Sequence, residues 1–283
     1  MTKIMWTTNG TMRKIKTQNQ IEMLQFPGLN QDCNIFHLIT TRQGGVSQGN
    51  YATMNPAVHV DDDPEAVRKN RELLCEALAI PEDHLVTPTQ VHEDQIRIVS
   101  GDYLEFTPGM RKDYLAGVDA LITNMPKICM GVSTADCVPI LLWDPQNKVA
   151  AAAHVGWRGT VKQIGVKTVH RMVELFGCHP GHIRAAIGPC IGEKAFEVGD
   201  EVVKAFEEIG YSLQEMGSRN PETGKAHIDL QKANQLQLQG IGILPQHIEV
   251  AGMCTWENQE ELFSARRLGI QSGRILSAIM IKK

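Results

Sequence analysis

Ile128-Cys129-Met130-Gly131-Val132-Ser133-Thr134-Ala135-Asp136-Cys137-Val138-Pro139-Ile140-Leu141-Leu142-Trp143 reads as two short apolar strands, 128–133 and 138–143, around a polar turn. Similar runs at 119–123 and 149–154 flank it, each bounded by turn residues. Strands that follow one another directly do not fit a doubly wound sheet, in which a helix separates each parallel pair. The predicted class is therefore α/β of the α+β kind, with mixed sheets and interspersed helices.

The flanking sequence adds the helices. Val161, Ile164, Val169 and Val173 give helical spacing over 160–176. Helices also fit 197–209 and 229–239, the second capped by Asp229. Asp63-Pro64 starts a helix that runs to about residue 79, with Val67, Leu74 and Leu78 inward. Strands are predicted at 34–41, 84–91, 95–99, 183–187, 247–253 and 274–281. Residues 101–116 read as loop, and the polar stretch 9–20 as an exposed hairpin or loop. No linker interrupts the chain, so 1–283 is read as one domain, with 1–33 a less defined extension.

A chain of 283 residues with 42% hydrophobic residues has the composition of a soluble globular protein with a sizeable core. Its net charge of −4 offers no basic field to nucleic acid, so no nucleic-acid partner is expected. The apolar runs are too short to span a bilayer. Residues 1–8 lack a signal-peptide core, which makes the cytoplasm the expected compartment. Seven cysteines, an odd number without CxxC spacing, argue against a disulfide framework and a zinc ribbon. No apolar heptad points to a coiled coil, and a monomer is expected.

The candidate chemistry lies in three segments: Thr89-Gln90-Val91-His92, the Cys137 turn, and Ala153-His154-Val155-Gly156-Trp157-Arg158-Gly159. They are too far apart for a helix-borne motif and can meet only through the fold. A thiolate and two imidazoles suit zinc, with a fourth position open to water or substrate. The same residues also suit a cysteine nucleophile with a histidine base. Asp136 could orient a histidine or cap its turn. Arg42 lies in the loop Thr41-Arg42-Gln43-Gly44-Gly45-Val46-Ser47, where a guanidinium, backbone amides and the Ser47 hydroxyl could hold an oxyanion. Arg158 is a second candidate anion contact, or a structural arginine stacked on Trp157. Asn55 sits in a turn and is a candidate substrate contact. Arg266 and Arg267 read as an ion-pairing structural pair, and Cys190 and Cys254 as structural thiols.

These segments, with Asp119-Ala120-Leu121-Ile122-Thr123, Ile187-Gly188-Pro189-Cys190-Ile191-Gly192 and Phe263-Ser264-Ala265-Arg266-Arg267, resemble the YfiH family, also called the laccase-domain or polyphenol-oxidase family. Within it the resemblance is greatest to YlmD-type proteins of Bacillus-like bacteria. It runs from about residue 34 to the C-terminus. Many separated motifs in one order make it more specific than any single motif. The resemblance implies layered sheets and helices similar to the deamidase domain of cytotoxic necrotising factors. It implies a zinc site at His92, Cys137 and His154, and phosphorolysis of adenosine, inosine and methylthioadenosine with adenosine deamination. Purine nucleoside and phosphate are then the expected partners, and the Arg42 loop becomes a phosphate or ribose contact. Glu93 departs from the family's usual glycine after the histidine.

Two other activities compete. Some YfiH relatives are amidase-type editors of peptidoglycan precursors, which would make Cys137 a nucleophile. A polyphenol oxidase needs clustered histidine ligands, typically His-x-His pairs, and the chain has none. Copper could still occupy the Cys–His–His set in vitro, because it outcompetes zinc for such ligands.

Overall fold

The computed structural model describes residues 7–9 and 12–283. Residues 1–6, part of the segment read for a signal core, and residues 10 and 11 of the expected hairpin lie outside the described residues. The run 128–143 forms two strands, Cys129–Thr134 and Val138–Asp144, and these enter different sheets.

In the first sheet the order is Thr7–Asn9, Met12–Lys16, Glu22–Gln25, Ile35–Thr40, Ile275–Ile281, Cys129–Thr134 and Leu85–Val86. It is antiparallel except for the last pair. In the second the order is Ile248–Val250, Arg184–Ile187, Val138–Asp144, Val149–Val155, Ala120–Thr123 and Ile96–Ile98. Its outer pairs are parallel and its inner pairs antiparallel. A small third sheet joins Glu197–Val198, Ala226–Ile228 and Gly217–Arg219.

The central strands are apolar throughout because both of their faces are covered. Leu141 and Trp143 pack with Met130, Val132 and Ile279 of the first sheet. Ile140 and Leu142 pack on the other side with Ile164, Val169 and Met172 of the helix Ile164–Phe176 and with Leu238 of the helix Leu230–Gly240. The outer face of the first sheet, with Leu38, Leu276 and Ala278, is covered by Leu74 and Cys75 of the helix Pro64–Leu78. The layers therefore run helix, sheet, sheet, helices. Each fully buried aliphatic side chain contributes about 1.5–3 kcal/mol, against about 0–1 kcal/mol for an exposed ion pair. The sheet interface, not the surface charge, holds the fold.

Several expectations are corrected. Residues 101–116 are helical, with a 3-10 turn Gly101–Glu105 and a helix Pro108–Leu115. Thr107 caps that helix by accepting from the Met110 N–H, and Pro108 occupies its first turn. The helix expected over 160–176 breaks at Gln163 (φ 57°) into Trp157–Val161 and Ile164–Phe176. Of 84–91 only Leu85–Val86 is strand; Thr89 makes an isolated bridge to Ala116. The segment 9–20 is not merely exposed, because Met12 and Ile15 are buried and Met12–Lys16 extends the first sheet. Among the described residues no helix is long and apolar enough to cross a membrane.

Candidate active site

Residues 134–137 carry the chain from the first sheet to the second, so the turn before Cys137 lies where the two sheets meet. Asp136 adopts φ 93°, a conformation that side chains other than Asn and Asp rarely tolerate. Its carboxylate accepts from the Thr255 hydroxyl (2.6 Å) and from the backbone N–H of Arg266 (2.6 Å). The turn is thus fastened at its tightest point to the segment 255–266.

His154 lies opposite Pro139 in the antiparallel pair formed by Val149–Val155 and Val138–Asp144, one residue from the level of Cys137's neighbour Val138. His92 lies in a loop at φ 63°. Asp119 holds both segments. Its carboxylate accepts from the backbone N–H groups of Val91 (3.3 Å), His92 (3.1 Å) and Glu93 (2.9 Å), and from His154 Nδ1 (2.7 Å). Its carbonyl accepts from the His154 N–H (2.7 Å). Gln90 clamps the same loop by bonding both backbone groups of Ser133, each at 2.8 Å.

The ligand atoms of His92, Cys137 and His154 lie within 4.8 Å of one another, and the imidazole centroids are 4.8 Å apart at 79°. His154 is buried, Cys137 half-buried and His92 exposed, so the cluster is reached from one side. Burial would push the Cys137 thiol up, but the charge and hydrogen bond of His154, helped by His92, bring it down to about 6. Burial would lower His154, but Cys137 and Asp119 together raise it to about 9. Without metal the pair is a thiolate beside an imidazolium. Burial works against the Asp119 carboxylate, and its bond to His154 with those from the loop N–H groups outweighs it, lowering its pKa.

The donors fit a metal ion. Asp119 takes Nδ1 of His154 and leaves Nε2 for the cluster, the arrangement common for metal-bound histidines. A thiolate and two imidazoles are soft-to-borderline donors. At Gly156 an added Cβ would stand 2.9 Å from Cys137 Sγ and 3.3 Å from His92 Cδ2, so only glycine lets the chain pass behind the donors. This is the only such group of three or more His, Cys, Asp or Glu side chains among the described residues.

The cluster lies in a cavity of about 530 Å³. His59, Phe196, Arg266, Ile270 and Arg274 line the same cavity. Of the sequence-predicted contacts, only Asp136 joins the three donors there. Arg42 does not: its guanidinium donates to the carbonyls of Ala52 (2.9 Å) and Gln259 (2.8 Å) and covers the Phe263 ring at 4.8 Å. The Ser47 hydroxyl donates to Asp62 (2.7 Å). The Asn55 amide donates to the same carboxylate (2.8 Å), and its oxygen accepts from the Arg274 N–H (3.0 Å). Both are buried in the loop network and away from the cavity lining. Arg158 stacks on Trp157 at 4.4 Å and is exposed. Glu93, the departure from the family pattern, pairs with Lys162. Arg266 and Arg267 make no ion pair among the described residues; they cover Phe196 and Trp256 instead. Cys190 and Cys254 are paired in an isolated β-bridge, and Cys254 Sγ accepts from the Gly192 N–H.

Asp119, His59, Gln90 and Arg274 were not singled out as site residues from sequence. For Asp119 the signal was its place at the head of an apolar strand; for His59 and Arg274 there was none.

The profile of the family described as multi-copper polyphenol oxidoreductase laccase matches residues 36–282. A protein named purine nucleoside phosphorylase from Bacteroides thetaiotaomicron is 46% identical over 261 residues, covering 92% of this chain and 97% of its own. A protein named adenosine deaminase RL5, from an unknown prokaryotic organism, is 39% identical over 264 residues, covering 93% of this chain and 99% of its own. The crystal structure of YlmD from Geobacillus stearothermophilus superposes with a TM-score of 0.84 at 30% identity, over 98% of this chain and 99% of that one. On this agreement of sequence and fold, the chain belongs to the multi-copper polyphenol oxidoreductase laccase family, of the YfiH type.

Proposed function

We propose that this chain is a cytoplasmic, zinc-dependent purine nucleoside phosphorylase that acts on adenosine, inosine and methylthioadenosine and deaminates adenosine as a side activity. The observation that carries the reading is the His92–Cys137–His154 cluster, in a cavity of about 530 Å³, within a chain whose near full-length relatives are named for these two activities. The volume suits a nucleoside. Ile191, Phe196 and Ile270 offer apolar surface for a purine, and the donors lie at its polar side.

His92, Cys137 and His154 would hold the ion, and a zinc ion there supplies Lewis-acid polarisation of a substrate oxygen. The chain's own residues do the positioning. Asp119 fixes the His154 ring, and its three loop contacts fix the backbone that presents His92. Asp136 fixes the turn that presents Cys137. The buried side of the cluster keeps water from His154, so approach is from the cavity alone. One three-donor cluster does not match the several copper ions of a multicopper oxidase.

One observation favours a second reading. Asp119, His154 and Cys137 stand in the order orienter, base, nucleophile, which suits an amidase-type hydrolase of peptidoglycan precursors. Incubation with inosine, with and without phosphate, separates the two. The zinc-loaded protein should yield hypoxanthine and ribose 1-phosphate only with phosphate, and Cys137→Ala should yield neither. Absence of hypoxanthine from the loaded parent protein in both conditions would overturn the phosphorylase reading. Amidase activity that survives chelation and is lost on thiol alkylation would establish the second.

A further inference from the structure

Arg274 and Arg266 line the cavity, and neither pairs with a carboxylate among the described residues. Arg274 is half-buried. Its Nη1 donates to the Ser272 carbonyl (2.6 Å) and hydroxyl (3.4 Å) and to the Gly273 carbonyl (3.0 Å), and its Nη2 to the Ile270 carbonyl (3.0 Å). A guanidinium has five N–H groups, so Nε–H and one Nη2 hydrogen remain unused. Its backbone is pinned by the Asn55 side chain at 3.0 Å, which sets its position before any ligand arrives.

Arg266 is exposed and lies over Phe196 at 5.5 Å, and its guanidinium makes only long hydrogen bonds among the described residues, 3.4 Å to the Ala195 carbonyl and 3.3 Å to that of Glu197. Asp136 is the only carboxylate lining the cavity among the described residues, and each of its oxygens already accepts one hydrogen bond, from Thr255 and from the Arg266 backbone. His59 lines the same cavity, and its ring makes no hydrogen bond among the described residues. The field of Arg274 reaches Cys137 and Asp136 as well as His59. A half-buried guanidinium that makes no salt bridge among the described residues, in one cavity with a second arginine held only by long contacts to carbonyls, is a seat for an anion.

We infer that Arg274 and Arg266, with His59 beside them, form the phosphate seat of the cavity, facing the His92–Cys137–His154 cluster. This rests on the phosphorylase reading. It moves the phosphate from the Arg42 loop, which does not line the cavity and whose guanidinium holds the Ala52 and Gln259 carbonyls, to the arginines that do line it. In the reaction a phosphate oxygen bonds to C1′ of the ribose. The C1′–N9 bond breaks with its electron pair passing to the purine, and the proton lost by hydrogen phosphate ends on the purine.

The test is calorimetric titration of the metal-loaded protein with inorganic phosphate, alongside the KM values for phosphate and inosine. Arg266→Met and Arg274→Lys are the main variants, with Arg274→Met added if it folds. Arg171→Met, at an exposed position of the helix Ile164–Phe176, is the control. Losing charged hydrogen bonds should weaken phosphate binding and raise its KM at least about tenfold in Arg266→Met, with a smaller change in the KM for inosine. Arg274→Lys, a point charge in place of a fork, should lie between parent and Arg266→Met.

An unchanged KM for phosphate in both variants, or no phosphate binding by the parent, would overturn the seat. Weakened binding of a nucleoside 5′-monophosphate with undiminished binding of inorganic phosphate would assign the two arginines to a substrate phosphate and overturn it too. A parent that binds phosphate through these arginines but yields no phosphorolysis would leave the seat standing and remove the phosphorylase reading.

Discussion

Asp119 is fully buried, yet its carboxylate receives four hydrogen bonds, three from one loop and one from His154. A buried carboxylate is expensive unless so paired, and here the pairing joins the two histidine-bearing segments. Asp119→Asn keeps the shape but offers an NH2 where an acceptor is needed. It should lower metal affinity about 10–100-fold, as loss of a partner behind a metal-bound histidine commonly does. It should also lower stability by about 1–3 kcal/mol through the unmatched loop N–H groups. A chelator-competition titration reads the first and urea unfolding the second. Metal affinity equal to the parent's would show that His154 needs no orienting partner.

At the scale of elements, the turn between the sheets is the part most open to a decisive substitution. Asp136 stands at φ 93° and holds the segment 255–266 through two bonds of 2.6 Å. Glycine adopts this conformation freely and alanine does not. Asp136→Gly removes only the fastening, whereas Asp136→Ala removes it and adds backbone strain. The alanine variant should be less stable than the glycine variant by about 1–2 kcal/mol, read by urea unfolding. Equal stability would mean that the turn relaxes out of the left-handed region. The same turn shows what was legible in the sequence. Cys137, His92 and His154 could be picked out because a thiol and two imidazoles together make a metal-ligand set in sharply marked segments, although each alone reads as readily as a core or solvated residue. Arg42, Ser47 and Asn55 read as ligand contacts because glycine-rich loops with polar side chains look alike whether they bind an anion or their own backbone. Here Ser47 and Asn55 share Asp62, and Arg42 holds two carbonyls. Arg274 and His59 gave no signal, since what makes them notable is the cavity they line, assembled from segments more than 200 residues apart.

At the scale of the molecule, the three donors come from a loop beside the second sheet, from the crossing between the sheets and from a central strand. An ion that binds all three closes contacts the unfolded chain cannot make, so binding adds to fold stability. At an ion concentration 100 times the Kd the gain is about 2.7 kcal/mol, or about 5 °C in Tm for a chain of this size. The pH dependence has a definite sign. Ligation needs a neutral His154, whose pKa in the metal-free protein is raised to about 9, while Cys137, lowered to about 6, is already a thiolate at neutral pH. Each ion bound between neutral pH and about 9 therefore displaces one proton from His154. Metal affinity should climb about tenfold per pH unit over that range. In the metal-free fold the raised His154 loses its stabilising contribution as pH rises through about 9, while the lowered Cys137 gains one over the same range, so the two offset. The rising affinity widens the gap between loaded and chelated protein as the solution becomes more alkaline. Calorimetric melting of zinc-loaded and chelated samples from neutral pH upward checks it, with Cys137→Ala as the variant in which the gap should close. A gap that narrows with rising pH, or one that survives intact in Cys137→Ala, would show that the ion is not held by the thiolate and His154 together.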